Sequence, residues 1–181
     1  MSTYYEQSIC IPQVDASDTV LGKVERWQAH ENGILHRAIT VGLKVEDRYI
    51  LQHRKHPVFD KWFDLTASSH PIYYDDGTVQ TNEDAVYKTL EREWGIIAEK
   101  VKGLYSPGYV KYKAEDPNSK YIEHEVCHLF LATVDDYPTF NSDVAYGFTL
   151  QTADQIMDLK NPLSPALAAW VKAFIKNNLV G

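Results

Sequence analysis

The chain has 181 residues, 44% hydrophobic and 24% charged, which is enough apolar material for one compact core with no compositional break to mark a second unit. Against 18 Lys and Arg stand 25 Asp and Glu, a formal net charge of -7. That balance argues against a general surface for nucleic-acid polymers or anionic membranes, so an anionic small-molecule substrate has to be held by local cations or by a metal. Met1 to Val14 lacks a basic stretch followed by an apolar one, and no run approaches the ~18 apolar residues of a membrane span. The expectation is a cytoplasmic protein forming a single domain over residues 1–181, with its oligomeric state left open. Cys10 and Cys127 lie far apart without CxxC spacing, which suggests buried apolar residues and neither a disulfide nor a thiolate metal site.

In chain order, Ser8 to Val14 alternates apolar and polar residues, Asp15 to Asp18 is turn-rich, and Thr19 to Lys23 reads as a return strand, giving an N-terminal hairpin extension over about residues 1–25. The β-rich runs His36–Lys44 and Asp47–His53 predict a second hairpin. Phe63–Ser68 predicts a short strand that stops before Pro71. From Asn82 the period changes. Ala85, Val86, Leu90 and Trp94 keep helical spacing until Gly95, with Asn82 as the expected N-cap. Val110–Lys113 and Tyr121–Val134 predict an antiparallel pair turning at Asp116-Pro117-Asn118. Thr152–Met157 and Ser164–Asn177 predict C-terminal helices over about residues 152–181, the second capped by Ser164 with Pro165 at its first position. Its stripe of Leu167, Trp170, Val171 and Phe174 is expected in the core. This order predicts an α/β fold, a mixed sheet covered by helices.

Glu123-His124-Glu125 is the most informative short stretch. On a strand of period two, Glu123 and Glu125 share a face and His124 takes the other. Two carboxylates side by side repel unless a cation lies between them, and a divalent metal meets that need. His30, His36 and His70 sit at predicted strand edges or turns. With the two glutamates they form a coherent ligand set for Mg²⁺ or Mn²⁺, Zn²⁺ being compatible with the imidazoles. Glu93, in the last turn of the Asn82 helix, is a further acidic candidate. Lys88 and Arg92 stand one turn apart on that helix and are candidate phosphate contacts, as are Arg26, Arg54 and Lys55.

These residues resemble a known family. Arg26-Trp27-Gln28-Ala29-His30, Leu35-His36-Arg37-Ala38, Ser69-His70-Pro71, Asn82-Glu83-Asp84-Ala85-Val86, Glu93-Trp94-Gly95-Ile96, Tyr112 before Asp116-Pro117, Glu123-His124-Glu125-Val126-Cys127 and Leu163-Ser164-Pro165 occur in the order seen in type 1 isopentenyl-diphosphate isomerases, a branch of the Nudix superfamily. The resemblance covers about Val14 to Pro165. It implies a Nudix fold, an α/β/α sandwich around a mixed sheet, and a metal held by His30, His36, His70, Glu123 and Glu125. A second Mg²⁺, bound with the substrate diphosphate, falls to Glu93. It also implies acid or base work for Glu125 and support of a cationic intermediate by Tyr112.

The departures bear on the reaction. The family's catalytic cysteine position holds Ser68, the tryptophan after Ser164-Pro165 is Ala166, and two diphosphate-binding arginines become Lys88 and Thr89. A serine hydroxyl is a far poorer proton donor near neutral pH than a thiol of pKa ~8.5. The Nudix hydrolase signature, G-x5-E-x7-R-E-U-x-E-E-x-G-U with U apolar, retains here only the glutamate matching Glu93. The sequence therefore predicts a metal-dependent enzyme acting on a small diphosphate, with Glu125, Ser68 and Tyr112 at its catalytic centre and hydrolysis as the expected reaction. The alternatives are allylic isomerisation and a Nudix module that binds a diphosphate or nucleotide without turnover.

Overall fold

The computed structural model describes residues 4–181; the first three residues of the expected N-terminal extension lie outside the described residues. β1 (Cys10–Val14) and β2 (Val20–Glu25) form the opening hairpin, antiparallel with Cys10 opposite Glu25. The Asp15 carboxylate fixes the turn by accepting from the backbone N–H groups of Ser17 and Thr19 at 2.8 and 2.9 Å. The next segment, whose His30 the sequence places at a strand edge or turn, is a helix. α1 (Arg26–Asn32) starts at Glu25, whose side chain accepts from the N–H of Gln28, and stops at Gly33 in the left-handed region. Its seven residues span under two turns, too few for a helical period to stand out.

β3 (His36–Val45) is the central strand and is almost wholly buried, as expected of a strand covered on both faces. Its predicted partner β4 (Arg48–Arg54) pairs with it only beside the turn, at Lys44–Tyr49 and Val45–Arg48. β5 (Ala67–Ser69) then takes over that edge of β3, with Thr40 opposite Ser68. Gly42 lies where a Cβ would come within 3.0 Å of Leu131 and 3.3 Å of Tyr49, so a side chain here has to displace those neighbours. α2 (Asn82–Trp94) follows its predicted periodicity. Its cap is Thr81, whose hydroxyl accepts from the N–H of Asp84, and not Asn82; Gly95 ends it at φ 63°.

β6 (Lys102–Glu115) and β7 (Ile122–Val134) make the long antiparallel hairpin. β6 begins earlier than its sequence suggests, because Gly103, Pro107 and Gly108 interrupt both its pattern and its register. β7 runs parallel to β3 over the whole length of β3, from His36–Glu125 to Val45–Val134. β8 (Ala145–Thr152), not expected, pairs with β4 at the sheet edge, where half-exposed residues blur the alternation. α3 (Ala153–Met157) is closed by a reciprocal capping box between Thr152 and Gln155. The last expected helix is split. Ser164–Ala166 is a single 3₁₀ turn with no cap from Ser164, and α4 (Ala169–Lys176) starts afresh, because the backbone between them pairs with Phe63. Phe63 donates to the carbonyl of Ala166 and accepts from the N–H of Ala168, both at 2.8 Å.

The result is an eight-stranded mixed sheet with helices on both faces. Ile39, Val41 and Leu43 of β3 pack with Val86, Leu90 and Trp94 of α2. Ala38, Leu129 and Leu131 face the other way, against Trp170, Val171 and Phe174 of α4. Among the described residues, no helix is long and apolar enough to cross a membrane.

Candidate metal centre and cleft

The five predicted ligands converge. His30 ends α1, His36 opens β3, His70 follows β5, and Glu123 and Glu125 share one face of β7; their ligand atoms all lie within 4.8 Å of one another. His30, expected at a strand edge or turn, is held by a helix. His124 points away, its ring nitrogen 2.8 Å from the carbonyl oxygen of Gly33, as the period-two reading requires. Two imidazoles are oriented from behind. The Nδ1 of His30 lies 2.7 Å from the carbonyl of Arg26, and that of His36 lies 2.7 Å from the carbonyl of Ile34. An Nδ1–H donated to a carbonyl leaves Nε2 as a lone-pair donor aimed into the cluster, the arrangement a metal ligand needs.

His30 Nε2 stands 3.3 Å from Glu123, and the Nε2 atoms of His36 and His70 stand 3.4 and 3.1 Å from the same oxygen of Glu125. His36 Nε2 and Glu123 Oε2 are nevertheless buried without a hydrogen-bond partner. Orphaned atoms of this kind are costly in an interior, and a cation among them satisfies both. The donor set of three imidazoles and two carboxylates thus fits a divalent ion.

Electrostatics inside the cluster follow from burial and mutual charge. Burial opposes the His30 imidazolium, but Glu123 outweighs it and its pKa rises to about 9. His70 is held well below the ordinary range by burial and by the neighbouring imidazoles of His36 and His30. Burial works against the Glu125 anion too, yet the His36 imidazole 3.4 Å away and the hydrogen bond from Tyr112 keep its pKa below the ordinary value. Tyr112 donates its hydroxyl to Glu125 at 2.5 Å, and burial together with that carboxylate pushes the phenol well above its usual range.

The cluster floors a solvent-open cleft of about 530 Å³. Ser68 lines the cleft from β5, and Arg26, Arg54 and Arg92 line it too. Each of these arginines is mostly enclosed, and each has a buried Nε without a partner. Arg26 gives its terminal nitrogen to the carbonyls of Tyr4, Tyr5 and Gln7, Arg54 pairs with Asp64 at 2.8 Å, and Arg92 reaches Ser69, Thr89 and Glu93. Two expected phosphate contacts stand elsewhere. Lys88 is exposed and paired with Glu91, and Lys55 is exposed and donates to the carbonyl of Ser142. Glu93 reaches the cleft but stands outside the five-residue group, its carboxylate taken by Gln52 and Arg92 at 3.0 Å each.

Sequence reasoning missed several residues of the cleft. His56 lies beside Arg54 and Tyr5, its Nε2 2.7 Å from the Tyr5 hydroxyl; burial and the surrounding arginines hold its pKa well below the ordinary range. Tyr4 and Tyr5, in a 3₁₀ turn near the N-terminus, also line the cleft, with the Arg92 guanidinium 3.9 Å from the Tyr4 ring. Trp170 belongs to the core as expected, yet it also walls the cleft and donates its indole N–H to Asp64 at 2.6 Å.

Similarity to known proteins agrees with this geometry. No protein-family model matches the chain. The chain is 31% identical over 150 residues to the isopentenyl-diphosphate Delta-isomerase 1 of Photorhabdus laumondii, covering 78% of each chain. It is 29% identical over 162 residues to the isopentenyl-diphosphate Delta-isomerase of Pectobacterium atrosepticum, covering 87% of this chain and 84% of that one. Among solved structures, a Deinococcus radiodurans protein superposes with a TM-score of 0.69 at 13% identity, over 93% of this chain and 98% of that one. A MutT NUDIX hydrolase from Burkholderia pseudomallei does so with a TM-score of 0.57 at 18% identity, over 78% and 96%. At those identities the structural likeness establishes the Nudix fold alone.

Proposed function

The chain belongs to the isopentenyl-diphosphate Delta-isomerase family, and we propose that it is a metal-dependent enzyme that moves a double bond in a small diphosphate by proton transfer. One observation carries the reading. A β-strand has two edges, and β7 occupies one edge of β3 from end to end, so β5 lies on the other. Glu125 and Ser68, both lining the cleft, therefore flank its floor from opposite sides. A substrate lying between them has one oxygen group on each side, the requirement for adding a proton at one carbon and removing one from another.

The three arginines support the diphosphate. In a chain of net charge -7, three guanidiniums lining one cleft form a local patch of positive charge suited to an anion. Trp27, Val58 and Trp170 supply apolar surface for a short organic group and keep water from it. Tyr112 sets the Glu125 carboxylate by its hydrogen bond and leaves the other oxygen toward the histidines. When bound, a divalent ion at the five-residue group supplies positive charge that organises the acidic side chains and attracts the diphosphate.

Hydrolysis, the reaction expected from sequence, has less support in the geometry. It draws on several carboxylates along α2, and here Glu83 and Glu91 are exposed and Glu93 alone reaches the cleft, already bonded by Gln52 and Arg92. Incubation of purified protein with isopentenyl diphosphate and Mg²⁺ or Mn²⁺, followed by NMR of the organic product, tests the proposal. A shifted double bond is the expected result. Release of phosphate or pyrophosphate without a shift overturns it in favour of hydrolysis, and heat protection by the ligand without any product overturns it in favour of a binding module.

A further inference from the structure

Tyr5 and His56 line the cleft beside the arginines, and the proton transfer proposed above gives them no part. Where the protons between them lie follows from donor and acceptor chemistry. Arg54 Nη2 stands 3.1 Å from His56 Nδ1, and a guanidinium only donates, so Nδ1 accepts. A second proton on the ring would set an N–H against that donor, and burial together with Arg54 and Arg92 holds the ring neutral. The one ring proton is therefore on Nε2, which lies 2.7 Å from the Tyr5 hydroxyl oxygen and nearer to it than Nδ1 at 3.1 Å. Nε2–H donates and Tyr5 accepts. Among the described residues the Tyr5 hydroxyl bonds only the His56 ring, so the phenol's own proton is left over on a side chain that lines the cleft.

We propose that Tyr5 is a substrate-binding residue that donates its hydroxyl to a phosphate oxygen of the diphosphate, and that His56 is the positioning residue that directs the proton there. The inference rests on the diphosphate substrate of the proposed function and not on the reaction performed on it. Unprotonated phosphate oxygens only accept, so they match the single donor this hydroxyl has left, and a hydrogen bond to a charged acceptor is the strong kind. Arg54 then serves the anion in two ways, through its charge and by fixing the tautomer of His56.

Both partners are held in place from behind. The Tyr5 carbonyl accepts from the indole N–H of Trp27 at 3.1 Å and from Arg26 at 3.4 Å, and the same Arg26 nitrogen reaches the carbonyls of Tyr4 and Gln7 at 3.0 and 3.2 Å. The backbone N–H of His56 donates to the Asp60 carboxylate at 3.3 Å, and Arg54 donates to the carbonyl of Val58 at 3.3 Å. Little ordering is left for the ligand to bring about. Burial and the Glu93 charge push the phenol above its ordinary range, so it keeps its proton near neutral pH. The competing assignment makes the Tyr5–His56 bond only a strut that ties the N-terminal turn to the body of the fold. A strut acts on stability, whereas a donor acts on affinity for phosphate.

The experiment measures binding of inorganic pyrophosphate with Mg²⁺ by calorimetry, and urea midpoints alongside, for wild type, Tyr5→Phe, His56→Gln, His56→Leu and the double variant Tyr5→Phe/His56→Leu. A donor predicts that Tyr5→Phe weakens pyrophosphate binding about 10- to 100-fold, the usual worth of a hydrogen bond to a charged group. The amide of His56→Gln accepts and donates as the imidazole does and should stay within about threefold of wild type, whereas His56→Leu should lose as much as Tyr5→Phe. Because His56 acts through Tyr5, the double variant should lose no more than either single one, within about threefold. Unchanged affinity in Tyr5→Phe with a lowered urea midpoint overturns the donor in favour of the strut, and additive losses in the double variant overturn the role of His56. Should a variant fail to fold, nitrogen-15 NMR of the wild-type histidine rings decides: a neutral His56 with its proton on Nε2 supports the proposal, and a proton on Nδ1 refutes it. No pyrophosphate binding by the wild type overturns the inference; the predicted binding pattern without a double-bond shift in isopentenyl diphosphate upholds it and overturns only the proposed reaction.

Discussion

Replacing Glu123 by Gln in metal-free protein should flatten the dependence of stability on pH above neutrality. The carboxylate of Glu123, 3.3 Å from His30 Nε2, overcomes burial and lifts the imidazole to a pKa of about 9. An unfolded histidine titrates near 6.5, so the shift of about 2.5 units corresponds to at most ~3 kcal/mol. The folded pKa is the higher one, so this stability is complete below about pH 6.5 and is lost as pH rises through about 9. Metal-free wild type should therefore lose ~3 kcal/mol over that window, or ~6–12 °C in Tm for a domain of this size. Glu123→Gln should lose little. Ionisation of Cys127 in the unfolded chain above about pH 8.5 destabilises both proteins alike, so the difference between their curves isolates the pair. Urea unfolding with chelator at pH 6 to 9 measures it, and parallel curves would refute the coupling.

Other consequences are simpler to state. Arg92→Ala should raise KM for a diphosphate substrate about 10- to 100-fold, since charge-assisted hydrogen bonds contribute roughly 1.5–3 kcal/mol. Lys88→Ala and Lys55→Ala, outside the cleft, should leave KM within twofold, roughly the scatter of a surface change. Steady-state kinetics checks all three. Gly42→Ala places a methyl 3.0 Å from Leu131 and should cost about 1–3 kcal/mol in urea unfolding. Thr81→Ala removes the cap of α2 and should cost ~1 kcal/mol, whereas Asn82→Ala should cost far less.

Much of the site could be read from sequence, because metal ligation constrains residue type strongly. The strand period alone put Glu123 and Glu125 on one face, and the structure brings the three histidines to that face from three separate elements. The location of His30 was misread because α1 is too short to display a period. Lys88 was assigned to the site on helical spacing, which fixes a shared face but not what that face meets. Asp64 and Trp170 were missed because their roles arise from contacts between distant segments, with 106 positions separating the two. A signal did exist: Phe63-Asp64-Leu65 sets a lone acid in an apolar strand run, and a buried charge of that kind calls for partners. The N-terminal tyrosines gave none, since two adjacent aromatics near a chain end carry no pattern. In the fold, α2 and the long strands followed from periodicity, whereas the replacement of β4 by β5 beside β3 is a pairing between distant segments that no local pattern shows.

The central claim is that His30, His36, His70, Glu123 and Glu125 hold one divalent ion on which the chemistry of the cleft depends. Equilibrium dialysis against Mn²⁺ or Zn²⁺, with metal content determined on wild type and on Glu123→Gln/Glu125→Gln, tests it directly. The account predicts a tight site of one ion per chain that the double variant loses while remaining folded; equal metal content in the two proteins would contradict it.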